Sequence, residues 1–134
     1  MIYATGDLHG NSLRFQPQYF PEQAEMAKDD YMIVCGDAGL VWNGDKSDDP
    51  QLDRLEALPF TVLFVDGNHE NFDALGEYPV EQWHGGKVHK IRPHVIHLIS
   101  HTVLVQQCLS VRRNISKSEM KAGVSSFRAM SFTW

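Results

Sequence analysis

Apolar residues fall in short blocks along this chain, and three of the blocks end alike. Met1–Thr5 runs into Gly6-Asp7, Tyr31–Cys35 into Gly36-Asp37, and Thr61–Val65 into Asp66-Gly67-Asn68-His69-Glu70. Apolar runs of this length, bounded by turn residues, predict strands buried on both faces. The segments between them carry helix signals. Asn11 is placed to cap a short helix that Pro17 and Pro21 limit, and Glu22–Met26 has room for one or two further turns. Asp49-Pro50 reads as an N-cap with proline in the first turn. It is followed by Leu52, Leu55 and Leu58 on one face and by Pro59 as the stop. Asn71 is placed to cap a second short helix through Phe72 and Leu75, ending at Gly76. Trp83-His84-Gly85-Gly86 is a turn signal, and Lys87–Ile91 and Val95–Leu98 predict two more strands, broken at Pro93. Strand–helix–strand spacing implies parallel strands joined by right-handed crossovers. The expected fold class is therefore α/β, a layered sheet of mainly parallel strands flanked by helices.

In such a sheet, sites form at the carboxyl ends of the strands. Three adjacent strands ending as these do would bring Asp7, His9, Asp37, Asn68 and His69 to one rim. Asp7 and His9 are two residues apart, so in extended backbone their side chains point the same way. A carboxylate and an imidazole are donors that divalent metals accept together. The loop from Ala38 to Asp48 is rich in Gly and Asp and reads as solvated turns, with Trp42 or Asn43 as its candidates for bordering a pocket.

Composition narrows the partners. At 134 residues and 43% hydrophobic, the chain is long enough for one globular core and not two. A net charge of −5 argues against broad nucleic-acid binding. Cys35 and Cys108 lie far apart and outside any C-x-x-C, so Cys35 is expected as a reduced core residue. No leader-like or membrane-spanning run is seen, and a cytoplasmic setting is expected. Charge then splits the chain. Residues 1–101 hold seven Lys+Arg against sixteen Asp+Glu, while 102–134 hold five against one. That places a domain at 1–101 and a divergent basic tail at 102–134, helical or loosely packed on the acidic body. His69-Glu70 does not open a zinc-protease motif, because position 73 is Asp73. No G-x-G-x-x-G or Walker lysine is present.

Gly6-Asp7-Leu8-His9-Gly10, Gly36-Asp37 and Gly67-Asn68-His69-Glu70 resemble the first three signature blocks of the calcineurin-like metallophosphoesterases. Their order fits, with 30 residues from Asp7 to Asp37 and 31 from Asp37 to Asn68. The resemblance spans residues 1–98. It implies a calcineurin-like core and two divalent ions, Mn, Fe, Zn, Ni or Mg. Asp7 and His9 would hold the first ion, Asn68 the second, and Asp37 would bridge both. It further implies hydrolysis of a phosphate ester by a metal-bridging hydroxide, with His69 as general acid. Arg14 and Arg92 are the candidate phosphate contacts, Arg14 the first of them. The substrate class, whether phosphoprotein, nucleotide or small phosphoester, stays open.

The departures are informative. Where the protein-phosphatase branch carries a further Asp and Arg after its Gly-Asp, this chain has Leu40 and Val41. The late Gly-His-x-His block is missing, and His101 is the remaining candidate to replace one of its ligands. The carboxyl-terminal half is therefore expected to be truncated or altered. An exposed sheet edge, self-association and a weakened second metal site would follow. The alternative is a catalytically weak or inactive metal-binding remnant that keeps the fold as a binding module.

Overall fold

The computed structural model describes residues 1–99 and the backbone of residues 128–129. Among the described residues seven strands form one sheet: β1 (Ile2–Thr5), β2 (Tyr31–Cys35), β3 (Thr61–Val65), β4 (Val80–Trp83), β5 (Gly86–Arg92), β6 (Val95–Leu98) and β7 (Arg128–Ala129). Their order is β4-β5-β6-β3-β2-β1-β7. The four middle strands β6, β3, β2 and β1 run parallel, and β4, β5 and β7 are antiparallel to their neighbours. This is the α/β architecture that the periodicity predicts, with the three motif-bearing strands side by side. Thr5 pairs with Val34 and Cys35 with Val65, so all three strands end at one level.

The two faces of the sheet follow the period of two. Tyr3, Met32, Val34, Val62, Phe64 and Val95 point to one side. Ile2, Ala4, Ile33, Cys35, Leu63, Val65, Ile96 and Leu98 point to the other. Every described helix packs on the first face. Helices α1 (Asp49–Glu56) and α2 (Phe72–Gly76) contribute Leu52, Leu55, Ala74 and Leu75 to it. Phe20 meets Tyr3 and Phe60 edge-on at 5.0 and 5.8 Å, and Phe15 meets Phe60 at 5.9 Å. Full burial of one such ring is worth about 1.5–3 kcal/mol. That anchorage fixes the otherwise irregular chain between β1 and β2.

Several local expectations change. Pro17 leaves room for only a 3-10 turn, Leu13–Phe15, and a second such turn spans Pro21–Glu25. Asn11 forms an Asx turn, its Oδ1 accepting from Leu13 N at 3.0 Å. Helix α1 is preceded by Asp48, not Asp49, and the Asp48 carboxylate accepts from Asn43 N and Gly44 N of the preceding loop. Leu58 lies beyond the end of α1 and is only partly buried. Strand β4, which the pattern did not announce, pairs with β5 through a two-residue turn in which His84 (φ 46°) and Gly85 (φ 80°) are both left-handed. Asn71 caps α2 as expected, accepting from Ala74 N at 3.1 Å. Cys35 is buried, as expected of a core residue. Among the described residues no helix is long and apolar enough to cross a membrane. The basic stretch 102–134, apart from the backbone of β7, and His101 lie outside the described residues.

Candidate metal centre

The three strand ends are bound into one unit through Asp37. Its carbonyl accepts from Leu8 N (3.1 Å) and His9 N (2.9 Å), and Ala38 O accepts from Gly10 N (2.9 Å). The corner after β1 therefore hangs on the corner after β2. His9 adopts φ 48°, a left-handed conformation that costs a non-glycine residue energy and that its neighbours must enforce. The corner after β3 closes from the other side. A Cβ at Gly67 would lie 1.7 Å from Asp37 Oδ1 and 2.1 Å from Asp37 N, so only glycine fits. His69 N donates to Asp37 Oδ1 at 3.0 Å. Glu70 reaches back across the gap, accepting from Ala38 N at 2.6 Å and Gly39 N at 3.2 Å.

These contacts set the electrostatics. Asp37 is only 4% exposed. Its carboxyl is held down at about 2, first by the His69 backbone N–H and then by the His69 ring, with burial opposing and the Asn68 backbone assisting. Glu70 moves the other way. Burial raises its pKa, the Ala38 and Gly39 N–H groups oppose this, and the nearby charge of Asp66 adds to the rise.

The donors converge. His9 Nε2 lies 3.8 Å from Asp37 Oδ2 and 4.0 Å from Asp7 Oδ2. His69 Nδ1 lies 3.0 Å from Asp37 Oδ2. Donor atoms of His9, Asp37 and His69 all fall within 4.8 Å of one another. Ligands at about 2.0–2.2 Å from a shared ion stand roughly 3–4 Å apart, so His9 with Asp37 (3.8 Å) and with Asp7 (4.0 Å) fits a divalent cation in both chemistry and spacing. Asn68 joins at the edge, its carboxamide 3.0 Å from His69 Nδ1. An ionised Asp37 takes the hydrogen on His69 Nδ1, so that nitrogen cannot also accept. Both contacts are satisfied when the Asn68 oxygen faces the ring.

Arg14 stands behind the first corner. Its Nη1 donates to Thr5 Oγ1 (2.9 Å) and weakly to Gly6 O (3.5 Å). Burial lowers its pKa and the charge of Asp7 partly offsets this, so the guanidinium is close to that carboxylate. Arg92 is committed elsewhere, bonded to Asp49 Oδ1 at 2.5 Å and 3.5 Å from Asp53 Oδ1, both on α1. Leu40 and Val41 are core residues, each 1% exposed. Trp42 is exposed, and Asn71 Nδ2 donates to its carbonyl at 2.7 Å, tying that loop to the third corner.

The rim thus gathers Asp7, His9, Asp37, Asn68 and His69. Two contributors were not singled out from the sequence. One is Glu70, whose partners are backbone N–H groups that no residue pattern displays. The other is Asp66, bonded at 2.6 Å to His97 Nε2. The strand-end position of Asp66 was a usable signal, but its partner lies 31 residues away.

The family model of the calcineurin-like phosphoesterases matches residues 1–113. No curated protein and no solved structure gives a significant match.

Proposed function

Because the chain belongs to the calcineurin-like phosphoesterase family, we propose that its rim is a two-cation centre that hydrolyses phosphate esters. The observation carrying this reading is the approach of His9 Nε2 to Asp37 Oδ2 (3.8 Å) and to Asp7 Oδ2 (4.0 Å) at the ends of neighbouring parallel strands. In this assignment Asp7, His9 and Asp37 would hold one cation, and Asn68 with Asp37 the other. When bound, the cations supply positive charge to the phosphoryl oxygens and acidify a water.

The chain's own groups do the rest. His69 donates its Nδ1–H to Asp37 Oδ2, which fixes the tautomer and orients the ring. Its side chain is 61% exposed, so Nε2 takes up a proton from solvent, and the imidazolium so formed delivers that proton to the departing ester oxygen and returns to the neutral Nδ1–H ring. Asp37 thereby serves as the orienter that Leu40 and Val41 do not provide. Arg14 keeps guanidinium donors beyond those spent on Thr5 and Gly6, and these are assigned to the phosphate. The centre works in the cytoplasm on a soluble phosphoester.

A second reading is a metal-binding remnant without turnover. The burial of Leu40 and Val41 favours it, since neither position can hold a polar catalytic group. Hydrolysis of an aryl phosphate with added Mn²⁺, by this chain and by Asp37→Asn, separates the two. Mn²⁺-dependent turnover lost in the variant supports the enzyme. Mn²⁺ binding with equal background rates in both supports the remnant.

A further inference from the structure

The corner after β3 is also held from a side that the phosphoesterase reading does not use. His97 sits on β6, in parallel register beside Phe64 of β3, and its ring stacks on Phe64 with centroids 5.0 Å apart at 24°. It is 4% exposed. Its Nε2 lies 2.6 Å from Oδ1 of Asp66, the first residue beyond β3. Its Nδ1 lies 3.1 Å from Nδ1 of His89, its cross-strand partner on β5, which is 8% exposed.

Two facing Nδ1 atoms bond only if one carries the hydrogen. The Asp66 carboxylate draws a hydrogen onto His97 Nε2. A neutral His97 then accepts at Nδ1, and His89 donates its Nδ1–H. Burial first, and then the neighbouring His97, keep His89 below the usual histidine pKa, with the charge of Asp66 opposing, in keeping with a neutral donor. The chain from His89 through His97 to Asp66 runs in one direction, with both nitrogens of His97 engaged and its ring clamped.

Asp66 and Glu70 bracket the turn Gly67-Asn68-His69. Glu70 pegs the far end of that turn to Ala38 N and Gly39 N. The two carboxylates repel, since the charge of Asp66 raises the pKa of Glu70. His97 is the side chain that bonds Asp66 and holds its carboxylate at the near end of the turn.

We propose that His97, with its tautomer set by His89, is a positioning residue of the metal centre: through Asp66 it fixes the turn that carries Asn68 and His69. The inference rests on the metal-centre assignment above, but its consequence is partly independent of metal. The His69 N–H donates to Asp37 only when the turn is in place, so its exchange with solvent reports the turn directly.

The test uses the full chain and His97→Phe, His97→Gln and Asp66→Ala. Glutamine keeps an N–H near the position of His97 Nε2; phenylalanine keeps only the stacking. His97→Phe and Asp66→Ala are expected to speed exchange of the His69 amide about tenfold and to weaken Mn²⁺ binding, followed by electron paramagnetic resonance, by a similar factor, the scale of one hydrogen bond to a charged group. The Phe64 amide should keep its rate, and kcat should fall more than KM rises. His97→Gln should stay within about threefold of the parent, and the double variant should lose no more than either single one. The proposal is overturned if the folded single variants match the parent in His69 exchange and Mn²⁺ affinity, or if His97→Gln falls as far as His97→Phe. Should His97→Phe not fold, Asp66→Ala, at the partly exposed strand end, carries the same comparison. A parent chain that binds no Mn²⁺ sinks the metal-centre assignment alone, and the His69 exchange rate still decides the positioning.

Discussion

Two glycine corners in this molecule look alike in sequence and differ in what surrounds them. Gly67, after β3, has its missing side chain replaced by Asp37: an added Cβ would lie 1.7 Å from a carboxylate oxygen. Gly85, in the hairpin between β4 and β5, has nothing within 4 Å of the same position and is needed only for its φ of 80°. One glycine lets two chain segments touch. The other lets one segment reverse. The first kind of corner builds a site because backbone donors and side-chain acceptors of separate segments come within bonding distance. The second kind builds only a turn, and its tolerance to change should be correspondingly wide.

The sharpest way to break this contrast is at the shared residue. Asp37→Asn should lower Mn²⁺-dependent hydrolysis by about a hundredfold or more, measured as kcat/KM on an aryl phosphate, because one group there meets all three corners. Gly67→Ala comes next. Overpacking against backbone costs about 1–3 kcal/mol or more, so chemical denaturation should show at least that loss together with loss of Mn²⁺ binding. Glu70→Gln keeps an acceptor for Ala38 N and removes a charge that burial and Asp66 disfavour, so a change within about 1 kcal/mol in the same measurement is expected.

Acid sharpens the comparison without substitution. The folded pKa of Asp37, about 2, lies below its ordinary value, so its contribution to stability is complete above the ordinary carboxylate range and is lost as pH falls toward 2. Glu70 has the opposite sign, since its raised pKa favours the protonated form in the folded chain, and stability from it declines as pH rises through that pKa. Melting of the metal-free protein between pH 5 and about pH 2 should therefore fall less steeply in Asp37→Asn than in the parent. The smallest effect belongs to Gly85→Asn. Asparagine tolerates left-handed backbone, and a change within about 0.5 kcal/mol is expected by thermal melting.

The comparison also explains what could be read from the chain. The three strands and their rim residues were legible because apolar runs, glycines and ligand-type side chains are local features. The cap at Asn71 and the buried face of Leu52 and Leu55 were legible for the same reason. Strand β4 was not, because Val80 is exposed at 58% and the segment becomes a strand only by pairing with β5. Asp48 and Asp49 are equivalent acids in sequence, and the choice between them was made by the N–H groups of Asn43 and Gly44. The roles of Glu70 and of Asp66 with His97 were hidden because they depend on which strands are neighbours. Nothing local places β6 beside β3 rather than at the far edge.

Strand β1 has β2 on one side and β7 on the other, and β7 is drawn from residues 128–129. During synthesis the strand leading into Asp7 thus emerges 123 residues ahead of its outer neighbour, counted from Thr5 to Arg128. At about 5–20 residues per second, that open edge persists for on the order of ten seconds. A nascent chain paused in that interval offers β1 to any other strand with a free edge, and the metal-binding end of β1 would then be framed by a stranger.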